Sequence, residues 1–480
     1  MSVFSLLDFA TLLLYLGVII GMGVYSARKI TSVEDWALAG RQIPWLMLLG
    51  TTAATLIGGG ASVGSVASGY AVGLAIGVAT TGWHLQTIFS GIYVAPRFRK
   101  LPFYTVADFF GYRYGEFARL LVGVVSLAFT VGVLGAQVAA MGRITEAVLG
   151  IPFLWSAIAG VTIITLYSVL GGYWAVIRID NLQFVILVVG FATAALLGLK
   201  AVGGYTGLAA QLPAEHFQLF GHWTPLKLLG VWLAMLLGET FAPQYVQRYY
   251  TAKDPGQARW GTLGAGVFML LFLPVTVVTL GMVARVKFPN LEAADQAWPL
   301  LVTQLFPPGL TGLFIAAALA ALMSSADSVL GSGATVVVRD FYQKLVKPDA
   351  EQRTLLAVAR ISTVILAALA TVMALLVPNV LDLLLYSYSF WAPAVILPVV
   401  VGLLWYRKEM IYPVIASMLV GLGVAILWLS LGEPLELQGS VAGVFAAVIT
   451  FFVSRPALRG VPLKKMFVPQ ELEAESAREG

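Results

Sequence analysis

The stretch ALMSSADSVL, residues 321–330, lies inside a run from Leu310 to Val338 in which Asp327 is the only charged residue. As a helix, such a run is long enough to cross a bilayer, which takes about 20 apolar residues. Three serines and a carboxylate inside it are costly in hydrocarbon, and an ionisable side chain at that depth marks a functional site by default. Reading outward, the rest of the chain agrees with a membrane setting. Its 480 residues are 59% hydrophobic and only 11% charged, with a mean hydropathy of +0.88, so there is too little polar surface to cover a soluble body of this size. The fold class expected is an all-α integral membrane protein. The absence of cysteine rules out disulfides and thiolate metal sites. The basic pI near 9.2 reads as basic cytoplasmic loops, with no nucleic-acid partner.

Stretches of bilayer length number roughly thirteen, near residues 7–26, 45–70, 73–96, 118–145, 152–171, 176–200, 226–250, 260–284, 308–338, 355–377, 380–404, 411–431 and 438–454. The first, Leu7 to Tyr25, lacks a small-residue cleavage site and reads as a retained helix, not a signal peptide. With the N-terminus outside, 24 of the 29 Lys and Arg fall on the cytoplasmic side, Arg178, Arg248, Arg459 and Arg478 among them. The outer side keeps Arg143, Lys200, Lys227, Arg285 and Lys287, so the positive-inside rule selects N-out, C-in. The charged tail ending PQELEAESAREG is read as solvated.

Two of these spans carry a break. In TLIGGGASVG, Gly58, Gly59 and Gly60 stand in mid-membrane, each costing a helix about 1 kcal/mol relative to alanine. In GETFAPQYVQR, Gly238 and Pro243 stand at mid-depth, and proline removes a backbone donor. Five spans separate the breaks, and an odd number of crossings inverts the second unit. Spans two to six (45–204) and seven to eleven (226–408) are therefore expected to form a five-plus-five inverted repeat, flanked by residues 1–44 and 409–480. Broken helices at corresponding positions of two halves point to a solute and ion site near the midplane; the competing reading of the glycines is close helix packing alone. In the opening stretch, Ala321, Ser324, Ser325 and Ser328 share one helical face with Asp327 on its flank, an oxygen-rich stripe suited to a hard cation. Serines of this kind can equally bond the carbonyl four residues back. Asp180, in GGYWAVIRIDNLQF, is a second intramembrane carboxylate with Arg178 beside it, read either as a cation ligand or as half of an ion pair.

At this point the chain resembles the sodium:solute symporter family, which adopts the leucine-transporter fold. The resemblance runs from about Val24 to Lys408 and rests on ATLIGGG, GGYWAVIRIDNLQ, YVQRYYTAKDPGQARW and AALAALMSSADSVLGSGATVVVRDFYQK in that order. It implies a sodium ion held by Ala54, Ile57, Ala321, Ser324 and Ser325, and a possible second one by Asp180, Ser324 and Ser328, with Asp327 standing where several members have another residue. The local wording resembles the choline-transporter-like branch most, in the glycine motif, SSADS and the GEP after the twelfth span. Where that branch places cage tryptophans, however, this chain has Leu56 and Ala242, and a quaternary ammonium needs such a cage. Candidate solute contacts are Thr55, Gly60 and Ser62, then Trp83, His84 and Gln86, then Glu239, Thr240, Phe241 and Gln244, with Tyr388 and Trp391 as gate aromatics. Glu239 reads either as a partner for a cationic solute or as a cap on freed amides.

The function expected is sodium-coupled symport of a small organic solute (amino acid, quaternary amine, monocarboxylate or similar) by alternating access across the plasma or inner membrane. The partners expected are sodium ions, the solute and the lipid bilayer, with no obligatory protein partner. No nucleophile, phosphate-loop or metalloprotease motif appears, so no enzymatic activity is expected. A proton-coupled permease of the same fold would titrate Asp327, Asp180 or Glu239 instead; a channel or a membrane sensor fits the broken spans and short tail less well.

Overall fold

The computed structural model describes residues 4–291, 293–377, 380–458 and 461–470. Arg459, Arg478 and the end of the charged tail lie outside them. Among the described residues the chain is helical throughout, with one isolated bridge between Ile43 and Ala252 and no named strand. The helices used below are α1 (Leu6–Ala27), α2 (Trp45–Leu56), α3 (Gly60–Val72), α4 (Leu74–Phe89), α5 (Glu116–Leu149), α6 (Phe153–Ala201), α7 (Pro225–Leu237), α8 (Pro243–Thr251), α9 (Pro255–Lys287), α10 (Leu310–Val336), α11 (Gln352–Leu376), α12 (Val380–Leu404), α13 (Ile411–Ser430) and α14 (Gly439–Leu458).

Nine helices among the described residues are long and apolar enough to cross a membrane, ten when α2 and α3 count as one bent span. The difference from thirteen has identifiable causes. Helix α6 runs 49 residues, about 73 Å at 1.5 Å per residue, more than twice a hydrocarbon core of about 30 Å. It is interrupted at Gly172, whose φ of 50° is left-handed. A Cβ there would come within 2.6 Å of the Trp36 carbonyl oxygen, so both conformation and space require glycine. Helices α7 and α8 are each short, because the chain breaks between them, and α4 is a helix of 16 residues that include Thr80, Thr81, His84, Gln86 and Thr87.

Helix α10 is the centre of the molecule. In its most apolar window 89% of residues are buried, against 28% for α1 and for α14. It packs against α1, α2, α5, α6, α8 and α11. Its start is anchored by Asp8 of α1, whose Oδ1 accepts from the Gly309 and Gly312 amides at 2.7 Å each, satisfying donors that a helix N-terminus leaves orphaned. The peripheral helices present Leu13, Leu14, Leu196, Leu271, Leu376 and Val453 outward. On a membrane protein this apolar exterior is the face that lipid covers.

Candidate functional site

The two sequence breaks are structural breaks. Helix α2 ends at Leu56, Ile57 leaves helical geometry at ψ 13°, and α3 departs at 59° to α2. Non-helical backbone is tolerated at membrane depth only where neighbours satisfy it, and Gln137 of α5 does so, its Oε1 accepting from the Gly59 amide at 2.9 Å. The second break runs from Gly238 to Ala242, with Phe241 at φ 60°, a conformation that side chains other than glycine rarely adopt. There Trp391 of α12 donates its indole N–H to the Thr240 carbonyl at 2.9 Å, and Pro243 opens α8 without needing a donor.

At the first break the serine stripe of α10 meets the end of α2. Ser324 Oγ donates to the Ala54 carbonyl at 3.0 Å and lies 3.1 Å from the Ala321 carbonyl. Ser325 Oγ donates to the Thr55 carbonyl at 2.8 Å, and the Thr55 hydroxyl donates to the Ser324 carbonyl at 3.2 Å. Ala54, Ala321, Ser324 and Ser325 are thus gathered at one buried junction of carbonyl and hydroxyl oxygens, and Ile57 follows as the C-cap of α2.

Beside this junction lies a charged cluster that the sequence reading placed differently. Arg248 was counted among the charges of the cytoplasmic side; it is fully buried on α8. It pairs with Asp180 at 2.9 Å, so Asp180 is not the partner of Arg178. Arg178 donates instead to Ser26 at 3.0 Å and stacks on Tyr25 and Trp174. The reason is helical phase: residues two apart on a helix point away from each other. The Arg248 guanidinium also donates to Thr51 at 3.1 Å, to the Gln244 carbonyl at 3.1 Å, to Ser328 at 2.6 Å and to Thr55. Thr51 in turn donates to Asp180 Oδ2 at 2.5 Å. Asp327 faces α6, accepting from Tyr167 at 2.6 Å and from Ser328 at 3.0 Å. Asp180, Asp327 and Ser328 are therefore neighbours, but two of the three already bond a guanidinium.

Between the two breaks is a cavity of about 30 Å³, lined among others by Thr55, Gly60, Trp83, Gln137, Glu239, Gln244, Tyr245, Ser325 and Tyr388. That is room for about one water. Glu239 accepts from the Tyr245 phenol at 2.7 Å and the Tyr388 phenol at 2.5 Å. Of the sequence candidates, Ser62, His84, Gln86, Thr240, Phe241 and Trp391 are not among its lining residues. Ser62 bonds the Gly58 carbonyl at 3.0 Å and Thr240 the Leu236 carbonyl at 2.6 Å; His84 and Gln86 are buried on α4. Sequence reasoning missed Gln137 and Tyr245. Gln137, a lone polar side chain among apolar neighbours of α5, carried a signal; Tyr245, one turn into α8, carried little.

Comparison with known proteins agrees with this architecture. The pattern of the sodium:solute symporter family matches residues 36–421. The chain is 28% identical to a sodium/glucose cotransporter of Vibrio parahaemolyticus, covering 94% of this chain and 90% of the relative. It is 26% identical to a sodium/pantothenate symporter of Haemophilus influenzae, covering 92% and 94%. A Na+-coupled sialic acid symporter, solved in a substrate-bound outward-open state, shares the fold with a TM-score of 0.82 at 19% identity, covering 96% of this chain and 99% of that one. With the family pattern spanning both helix breaks, the central serines of α10 and the cavity between them, the chain belongs to the sodium:solute symporter family.

Proposed function

We propose that this chain takes up a small organic solute together with sodium, the ion binding where α10 meets the end of α2 and the solute in the cavity between the breaks. The observation that carries the reading is the Ser324 and Ser325 hydroxyls lying 3.0 and 2.8 Å from the Ala54 and Thr55 carbonyls. Sodium takes several oxygen ligands, and carbonyl and hydroxyl oxygens suit a hard cation. An ion there ties α10 to the broken span, and its release frees the two halves to rock. Residues 45–204 and 226–408 act as the inverted units, within about thirteen crossings and with the N-terminus outside.

A sodium at Asp180, Asp327 and Ser328 is the less favoured position. It would share oxygens with Arg248, and two unit positive charges about 4 Å apart repel by roughly 4 kcal/mol at an effective dielectric of 20. A proton-coupled reading draws on a different observation: among the described residues, neither Asp327 nor Glu239 has a basic ion-pair partner. Thermal stability of the purified protein in sodium, lithium, potassium and choline salts at equal ionic strength separates the two. A sodium-selective rise supports symport with sodium; stability that ignores the cation and follows pH alone supports proton coupling.

A further inference from the structure

We propose that the solute carries a protonated amino group, and that Glu239, flanked by Tyr245, Tyr388 and Trp83, is the group that recognises it. The inference rests on the reading of the cavity as the solute site. Glu239 is an acidic side chain lining the cavity, and the other polar groups named there, Thr55, Gln137, Gln244, Tyr245, Ser325 and Tyr388, are uncharged. The acidic pair Asp180 and Asp327 and the cation Arg248 form a separate cluster behind it, where Arg248 spends its donors on Thr51, Thr55, Asp180, Ser328 and the Gln244 carbonyl and none on Glu239.

Glu239 is half-buried, and a carboxylate drawn partly out of water and unmatched by a cation is costly, a cost that neutral donors offset only in part. Each Glu239 oxygen accepts one phenol, at 2.5 and 2.7 Å, and a carboxylate oxygen can accept a second donor. The phenols hold the carboxylate in place and leave acceptor capacity toward the cavity. An ammonium supplies both the missing charge and N–H donors. The surrounding rings favour the same choice, because Tyr245, Tyr388 and Trp83 line the cavity and aromatic rings attract cations. Gln244 Oε1, buried and without a hydrogen-bond partner, is a further acceptor on the same wall. A carboxylate-bearing solute without an amine meets repulsion from Glu239, and a polyol satisfies acceptors but leaves the charge unmatched.

The test uses matched pairs on the intact protein in sodium: putrescine against 1,4-butanediol, glucosamine against glucose, ethanolamine against ethylene glycol, with pantothenate as an anionic control. The expected result is that amines raise the melting temperature while their hydroxyl counterparts do not. Glu239→Gln then weakens the amine response by about ten- to hundredfold in half-saturating concentration, the loss of one charge-assisted hydrogen bond, and Glu239→Asp restores part of it. The proposal is overturned if hydroxyl compounds or pantothenate stabilise as well as the amines, if no amine stabilises, or if Glu239→Gln responds like the parent. The matched pairs need no variant, so a poorly folding substitution leaves the question decidable. Loss of the sodium-selective shift itself, in the absence of any solute, is a separate failure that refutes the symport reading.

Discussion

Replacing Arg248 by methionine leaves the Asp180 carboxylate buried with Thr51 as its remaining hydrogen-bond donor. The guanidinium is fully buried and joins α8 to α2, α6 and α10 through Thr51, Thr55, Asp180 and Ser328. Breaking a buried pair by removing one partner costs about 3–5 kcal/mol, because the surviving charge is uncompensated. That is a large part of a typical net stability of about 5–15 kcal/mol. Asp180→Asn leaves the guanidinium charged, but with its hydroxyl acceptors and, across Ser328, the Asp327 carboxylate beside it, so the loss is smaller, about 1.5–3 kcal/mol, the range for a hydrogen bond to a charged group. In the double variant no stranded carboxylate remains, so its loss falls short of the sum by about 2 kcal/mol or more. Equilibrium unfolding of the parent, both single variants and the double in detergent gives this coupling directly. Two outcomes refute the reasoning: Arg248→Met costing no more than Met at the exposed Arg353, or losses that add within about 0.5 kcal/mol, the margin expected of independent sites.

Two further changes bear on the proposed ion junction. Ser324→Ala with Ser325→Ala removes two hydroxyl oxygens without a large cavity, and the sodium concentration for half-maximal uptake is expected to rise about tenfold or more per lost ligand, roughly 1.4 kcal/mol each; an unchanged sodium dependence removes the junction from the mechanism. Gly58→Ala places a methyl group against the Ser325 hydroxyl and is expected to cost about 1–3 kcal/mol by overpacking and to weaken sodium binding. Gly17→Ala on α1, where a Cβ meets nothing within 4 Å, serves as the neutral control in the same stability and uptake assays.

How much of this was legible before the structure depends on how local each signal is. The breaks were legible because three glycines and a proline act on their own backbone, whatever surrounds them. Asp327 was legible as an outlier in its own run. Arg248 was not. Its partner Asp180 is 68 positions away, and an arginine near the end of a broken span looks like a loop charge until α8 is seen to turn inward after Pro243. The local rule favoured Arg178, which lies two positions from Asp180 and points elsewhere. Among the cavity candidates the same limit applies: Glu239 stands out by charge, whereas His84 and Gln86 share the sequence character of Trp83 but not its place on the cavity wall.

On the proposed assignment the sodium and solute sites share a wall, and this sets a constraint on coupling. Ser325 donates to the Thr55 carbonyl at 2.8 Å, and both residues also line the cavity. An ion that fixes the α2 and α10 contact therefore fixes part of the solute site, and a solute that orders the cavity orders the ion's ligands. Binding free energies linked in this way are reciprocal. If sodium tightens a given solute tenfold, the solute must tighten sodium tenfold, about 1.4 kcal/mol either way. Titrating each ligand calorimetrically at zero and saturating levels of the other measures both factors. Unequal factors would mean that one titration includes a second ion, and the Asp180, Asp327 and Ser328 cluster is where the structure has oxygens to hold it. Equal factors with coupling that disappears in Ser325→Ala, while uncoupled solute binding persists, trace the linkage to this shared wall.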